Sequence, residues 1–305
     1  MIRTNLCLSR KGHNMDYLDN FISPWHFLFE ADKRIYWLYL LSSALIAVFI
    51  SGKQLFSVKL WFNQSSLVDV CWLFINQWLF KLLTVPLLAL QVSYALSIND
   101  FLSVLFGMGN YWQLNQSVML ALFTFILFVS QDFSKYLVHL SLHKIPFLWR
   151  FHAVHHSATT LTPLTLYRIH PVEMLINSLR SLLIGALLSG VFIYLFKNSL
   201  GITQILGVNL FVFIFNIAAS NLRHSPVWLG FANYEYVFIS PAQHQIHHSA
   251  AKRHYNKNFG SALAIWDYLF NSLLLSAGQS VTVLGVGKKA INRQTFKQQW
   301  LGIKR

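Results

Sequence analysis

The chain has 305 residues, 55% of them hydrophobic and only 11% charged, with 26 Phe and 10 Trp. That balance excludes an ordinary water-soluble domain of this length and predicts an integral membrane protein. The net charge of +14 comes from 24 Lys and Arg scattered between apolar runs, with ten acidic residues mixed among them. Basic loops facing anionic lipid and the cytoplasm account for it, and no nucleic-acid partner is expected.

Residues 1–34 form a polar leader carrying Arg3, Arg10, Lys11, Asp16, Asp19, Glu30, Asp32, Lys33 and Arg34. It has no apolar core long enough for a cleavable signal peptide, so the first membrane segment is expected to serve as the targeting signal. Apolar runs near the roughly 20 residues that a helix needs to cross the hydrocarbon core follow. They lie at 35–50, 67–98, 118–133, 181–196 and 202–219. Lys81 and Pro86 interrupt the second, which reads as one tilted helix or a broken pair. The last two, joined by residues 197–201, read as a helical hairpin that returns the chain to the side it left. Cys7 and Cys71 form no motif and no disulfide framework.

These runs predict an all-α fold, a multi-pass membrane helical bundle capped by histidine-rich helices. Four regions are expected: the leader 1–34, N-terminal transmembrane helices at 35–117, a histidine-rich region at 118–275 and a basic, solvated tail at 276–305. That tail carries Lys288, Lys289, Arg293 and Lys297. The hairpin would leave the histidine-rich stretches 134–173 and 221–260 on one membrane face. Arg150, Arg168, Arg223, Lys252, Arg253 and Lys257 lie in those stretches, whereas 99–117 has no Lys or Arg. By the positive-inside rule the histidine cap is expected on the cytoplasmic face. The basic leader is expected there too, and the two placements agree only once the crossings in 67–98 are settled.

Of 13 histidines, 11 fall between residues 139 and 254. HLSLH places His139 and His143 one helical turn apart, FHAVHHS supplies His152, His155 and His156, and HQIHHS repeats that spacing with His244, His247 and His248. Each set occupies one helical face. A lone histidine here would read as an interfacial or satisfied core residue. Eight imidazoles on three faces would repel one another if protonated and waste desolvation if unpaired, and metal binding removes both problems. Ligand type alone does not choose among Zn, Fe, Cu and Ni. Eight ligands are twice what one tetrahedral site uses, which points to two ions or one crowded site. Haem is disfavoured because the clusters sit at or beyond the ends of the apolar runs. The Glu-x-x-His pattern of soluble di-iron bundles is absent, so the site is expected to be nearly all nitrogen.

His139-x3-His143, His152-x2-His155-His156 and His244-x2-His247-His248 resemble the three histidine boxes of the fatty acid hydroxylase and sterol desaturase superfamily. The likeness extends to Asp132 and Tyr136 before the first box, to 148–152, to 167–171 with Glu173, and to 258–261 and 266–270. The resemblance implies a centre of two iron ions held by the eight box histidines, with His224 as a less certain ninth ligand. It also implies O2-dependent oxidation of a lipid entering from the bilayer. The chain has no HisProGlyGly haem-binding motif, so electrons are expected from an external donor of reductase, ferredoxin or cytochrome b5 type. Hydroxylation is preferred to desaturation, which begins with the same hydrogen abstraction. Two readings from other classes are a membrane metal-ion carrier and a zinc-dependent lipid hydrolase. The carrier would need ionisable residues along the spans, which hold little beyond Lys81 and Arg180.

Around the ligands, Asp132 lies two turns before His139 on the same face and is a candidate acceptor for a ligand's spare ring N–H. Tyr136 and His170 are expected in the surrounding layer. Arg168 and Glu173 are expected to pair beneath the site, and His254 to lie on the surface beside Lys252 and Arg253.

Overall fold

The computed structural model describes residues 28–31, 33, 35–51, 57–109, 111–196, 210–218, 220–286 and 296–303. Over these residues the fold is all-α, with only isolated bridges such as Trp112 with Phe196. In chain order the helices that matter are α1 (Trp37–Ser51), α2 (Gln64–Leu79), α3 (Val85–Phe106), α4 (Gln116–Lys144), α5 (Pro146–His156) and α6 (Pro171–Leu195). They are followed by α7 (Leu210–Ala218), α8 (Pro241–His247), α9 (Ile265–Leu269) and α10 (Phe296–Trp300). Among the described residues, three helices are long and apolar enough to cross a membrane, at Gln64–Leu83, Gln116–Lys144 and Pro171–Leu195.

Two of these helices outrun their apolar stretches, and that places the site. α4 opens at Asn115, whose side chain accepts from Ser117 N, and continues past residue 133 for a total of 29 residues. At 1.5 Å per residue that is about 43 Å, against a hydrocarbon core of about 30 Å. The last turns therefore project beyond the core and carry His139 and His143. α6 starts at Pro171, ahead of the run at 181–196, because its polar first turns, with Glu173, Asn177 and Arg180, face an internal cavity. Hydropathy alone cannot see a polar face that points inward.

The run at 67–98 is neither one regular helix nor a loop-broken pair. α2 passes into α3 through a π-helical turn, Phe80–Thr84. Lys81 sits in this turn and Pro86 follows it, where the missing proline N–H is compatible with the widened ladder. α3 then packs closely on α6. A Cβ at Gly190 would stand 2.6 Å from the Ala95 carbonyl oxygen, and one at Gly185 2.7 Å from the Gln91 side chain. Small residues allow this approach, the usual basis of helix association in lipid. At the far end of α4 and α6, Met119, Phe123, Phe192 and Phe196 form a buried apolar cluster.

The run expected at 202–219 is described as helix only over Leu210–Ala218, and the 197–201 link lies outside the described residues. So do the leader up to residue 27 and Lys288, Lys289 and Arg293 of the tail. The end of that tail is packed, contrary to a wholly solvated surface. In α10 Gln299 accepts from Trp72 Nε1 at 2.7 Å, and Ile303 N donates to the Arg150 carbonyl at 2.8 Å.

Candidate metal centre

Local sequence positions each histidine. Pro146 ends α4 and opens α5 with only Ile145 between, as expected for a proline at the first helical position. The first two boxes thus face each other across a tight corner. α8 has a Ser240–Gln243 capping box and Pro241 in its first turn. That supplies the end-capping a helix of seven residues needs to hold His244 and His247, with His248 as its C-cap. His224 comes from the 3-10 segment Ser220–His224.

Nine histidines assemble into two groups: His139, His143, His152, His156 and His247 in one, His155, His224, His244 and His248 in the other. Within each, one nitrogen per ring lies within 4.8 Å of the others. The i and i+4 members of each three-histidine box share a group, whereas the i+3 member crosses over. His155 leaves its neighbours for the second group, and His247 leaves its own for the first. The two boxes therefore interlock the groups, and the His156 and His248 rings stack between them with centroids 4.5 Å apart.

Hydrogen bonds on the outer nitrogens fix which ring atom faces inward. His139 Nδ1 donates to the Phe259 carbonyl (2.7 Å), His247 Nδ1 to the Lys257 carbonyl (2.8 Å) and His155 Nδ1 to the Arg168 carbonyl (3.3 Å). His152 Nδ1 faces a Glu173 carboxylate oxygen at 3.0 Å. Each partner accepts only, so Nδ1 carries the proton and Nε2 presents a bare lone pair. His139 Nε2 and His152 Nε2 nevertheless stand 3.0 Å apart, two lone pairs with no proton to share. Similar 3.0–3.3 Å spacings join His224 Nε2 to His155 and His244, and His244 Nε2 to His248. His143 Nε2 and His247 Nε2 are buried with no hydrogen-bond partner.

This donor set fits metal ions. A cation about 2.1 Å from two nitrogens leaves them roughly 3.0–3.4 Å apart, the spacing observed, and turns the facing lone pairs from repulsive to bonding. Burial keeps the rings neutral and ready to bind: it pushes His247 down to about 3, and with the adjacent His152 ring pushes His155 down to about 4. His156, His244 and His248 lie well below the ordinary imidazole range for the same reason, helped by neighbouring histidines.

The surrounding layer differs from the sequence expectation. Arg168 and Glu173 do not pair. Arg168 Nε binds Asp69 Oδ1 at 2.6 Å, while Glu173 faces His152. Asp132 does not receive a ligand ring; its carboxylate takes Ala262 N, Leu263 N and Trp266 Nε1 at 2.9, 3.1 and 3.0 Å. His170 lies outside both groups, capping α6 through Val172 N and donating from Nε2 to the Trp300 carbonyl. His254 is buried rather than on the surface. Tyr136 reaches the site at one remove, through Ser272, which donates to Asp267. Sequence reasoning missed Asp267: it accepts from Phe259 N and Gly260 N and so sets the carbonyl that orients His139. Its only signal was its place in the 266–270 stretch. Burial raises its carboxyl to about 6.

Glu173→Gln keeps the shape of the side chain and removes the charge facing His152 Nδ1. Loss of such a partner typically costs 10–100-fold in metal affinity or activity. The expected result is metal loss to a chelator at about tenfold lower concentration than wild type; equal retention would show that the carboxylate does not tune the site.

Both groups border a cavity of about 540 Å³, into which His139, His152, His155, His224 and His244 open. Its lining also includes Leu87, Leu166, Met174 and Leu182, apolar surface that accompanies the polar cluster.

The fatty acid hydroxylase family model matches residues 124–272, which contain every histidine of both groups. An ornithine lipid hydroxylase of Rhizobium tropici is 28% identical over 162 residues, 53% of this chain and 44% of its own length. An alkylglycerol monooxygenase of Caenorhabditis elegans is 26% identical over 171 residues, 56% of this chain and 30% of its own. The chain thus spans less than half the length of either relative. No solved structure matches.

Proposed function

We propose that this chain, whose residues 124–272 match the fatty acid hydroxylase family model, is a membrane-bound non-haem di-iron oxygenase that hydroxylates a lipid C–H bond. The observation that carries this reading is the pair of interlocked histidine groups opening into one apolar-walled cavity. Iron in these groups would supply reductive activation of O2, one atom entering the C–H bond and the other leaving as water, with two electrons and two protons from an external donor. The protein's part is to hold and exclude. All nine histidines are its ligands, the Phe259, Lys257 and Arg168 carbonyls and Glu173 lock their tautomers, and the cavity wall keeps water from the lipid chain. Lipid relatives named as a hydroxylase and a monooxygenase favour hydroxylation over desaturation. The basic residues Arg150, Lys252, Arg253 and Lys257 support a cytoplasmic position for the site, where a soluble donor has access.

The test joins metal analysis to lipid profiling. Detergent-purified protein is expected to hold two irons per chain, and cells expressing wild type, but not His155→Ala, are expected to accumulate a lipid heavier by one oxygen. One zinc per chain together with identical lipid profiles in aerobic cells would overturn the proposal.

A further inference from the structure

Arg168 and Arg180 both lie near the site, and they differ in that only Arg168 has a described carboxylate within ion-pair distance. Arg168 is fully buried and neutralised by Asp69 at 2.6 Å. Arg180 sits half-buried within α6, a membrane-crossing helix, and its hydrogen bonds all go to neutral groups; the carboxylate that acts on it, Asp132, lies beyond ion-pair distance with its oxygens taken by Ala262 N, Leu263 N and Trp266 Nε1. Its Nη1 donates to the Gln131 carbonyl, to Gln131 Oε1 and to Ser134 Oγ at 3.1, 2.6 and 2.8 Å. Its Nε is buried without a hydrogen-bond partner, and no described carboxylate lies within ion-pair distance of it. A cation so placed is costly unless it serves a ligand or pathway.

Arg180 lines the 540 Å³ cavity. So do Lys135, Arg223 and Lys33, the last paired with Glu30 at 3.5 Å, while the one described carboxylate in the lining, Glu173, faces His152. We propose that Arg180, with Lys135, receives the anionic group of the lipid, so that the bound substrate is an anionic lipid rather than a neutral or zwitterionic one. A phosphate diester and a carboxylate both offer the chemistry a guanidinium fork recognises.

The position agrees with where such a group would lie. About 20 residues cross the hydrocarbon core, and 20 counted from Gln116 reach Lys135. Lys135 and Arg180 thus mark the depth at which hydrocarbon gives way to headgroups. Lys135 is one turn from His139 and Arg180 is two turns from Glu173, about 6 and 10 Å along their helices. An anion held there presents carbons near the headgroup to the histidine groups and leaves the chain end in the bilayer. What happens to the bound lipid rests on the oxygenase reading; its recognition does not.

The test is lipid retention by the purified full chain in neutral detergent, read by native mass spectrometry. The probes are phosphatidylglycerol, oleic acid, phosphatidylcholine and diacylglycerol. Wild type is expected to retain at least one of the two anionic probes about tenfold or more over both others, the worth of one charge-assisted contact. Retention of phosphatidylglycerol alone identifies a phosphate site, of oleic acid alone a carboxylate site. Arg180→Gln should abolish the preference and Arg180→Lys should restore part of it. Lys135→Gln, whose side chain is exposed at one end of the cavity, should weaken it severalfold and serves if Arg180→Gln does not fold. Equal retention of all four probes by wild type, or an unchanged preference in both Gln variants, overturns the proposal. A charge-dependent preference in a protein that holds no iron and oxidises no lipid would instead overturn the oxygenase reading alone.

Discussion

His155→Ala and His156→Ala, though adjacent in sequence, are expected to fail differently. His155 belongs to the group of four and His156 to the group of five. Removing His155 leaves three histidines to hold one ion, fewer than the four donors of a closed tetrahedral site. Removing His156 leaves four, enough to retain an ion more weakly. After dialysis against a chelator, His155→Ala is expected to retain about one metal per chain, and His156→Ala nearly two at low chelator but one at high. Both variants should lose lipid oxidation by about 100-fold or more, because the chemistry is proposed to need both positions at the cavity. Element analysis of the dialysed proteins, with circular dichroism to confirm folding, decides the matter. If both variants lose all metal together, the two groups act as one coupled centre and the division between them is wrong. Should neither lose any, the histidines are not the ligands.

How much of this was visible beforehand depends on the kind of physics each feature uses. Helical spacing is local, so the three boxes and their shared faces could be read from residues 139–143, 152–156 and 244–248, and the structure brings all eight histidines together. His224 has no spacing to announce it; only the fold of the segment Ser220–His224 against α8 delivers it to His155 and His244. The crossing of His155 and His247 between groups is likewise a tertiary fact, although two adjacent histidines about 100° apart already pointed in two directions. The surrounding layer was misread wherever partners lie far apart in sequence. Arg168 and Glu173 are near neighbours in the chain, yet Arg168 finds Asp69 at a separation of 99 residues. Asp132 shares a face with His139 but spends both oxygens on the backbone N–H groups of Ala262 and Leu263 and on the Trp266 indole. Hydropathy located the apolar middles of α4 and α6 and not their polar ends, where the site is built.

Asp69→Ala is expected to cost more stability than any other single truncation outside the histidines. Asp69 is fully buried on α2 and Arg168 is almost so. The carboxylate takes Arg168 Nε on one oxygen and Thr165 Oγ1 at 2.7 Å on the other, while the guanidinium also donates to Ser157 Oγ and to the Ser65 carbonyl. One ion pair thus ties α2 to the end of α5 and to the segment whose carbonyl orients His155. Removing one partner strands a buried charge, which typically costs about 3–5 kcal/mol. For Asp69→Ala the thermal transition in detergent is expected to fall by several degrees, with metal lost first from the group that contains His155. The double variant Asp69→Leu with Arg168→Met replaces both charges by apolar groups and should recover a large part of the loss, since a buried pair costs desolvation that an apolar pair does not. A double variant as unstable as Asp69→Ala would show that geometry, not uncompensated charge, is what the pair supplies. A single variant that melts with wild type would show that α2 does not brace the metal centre at all.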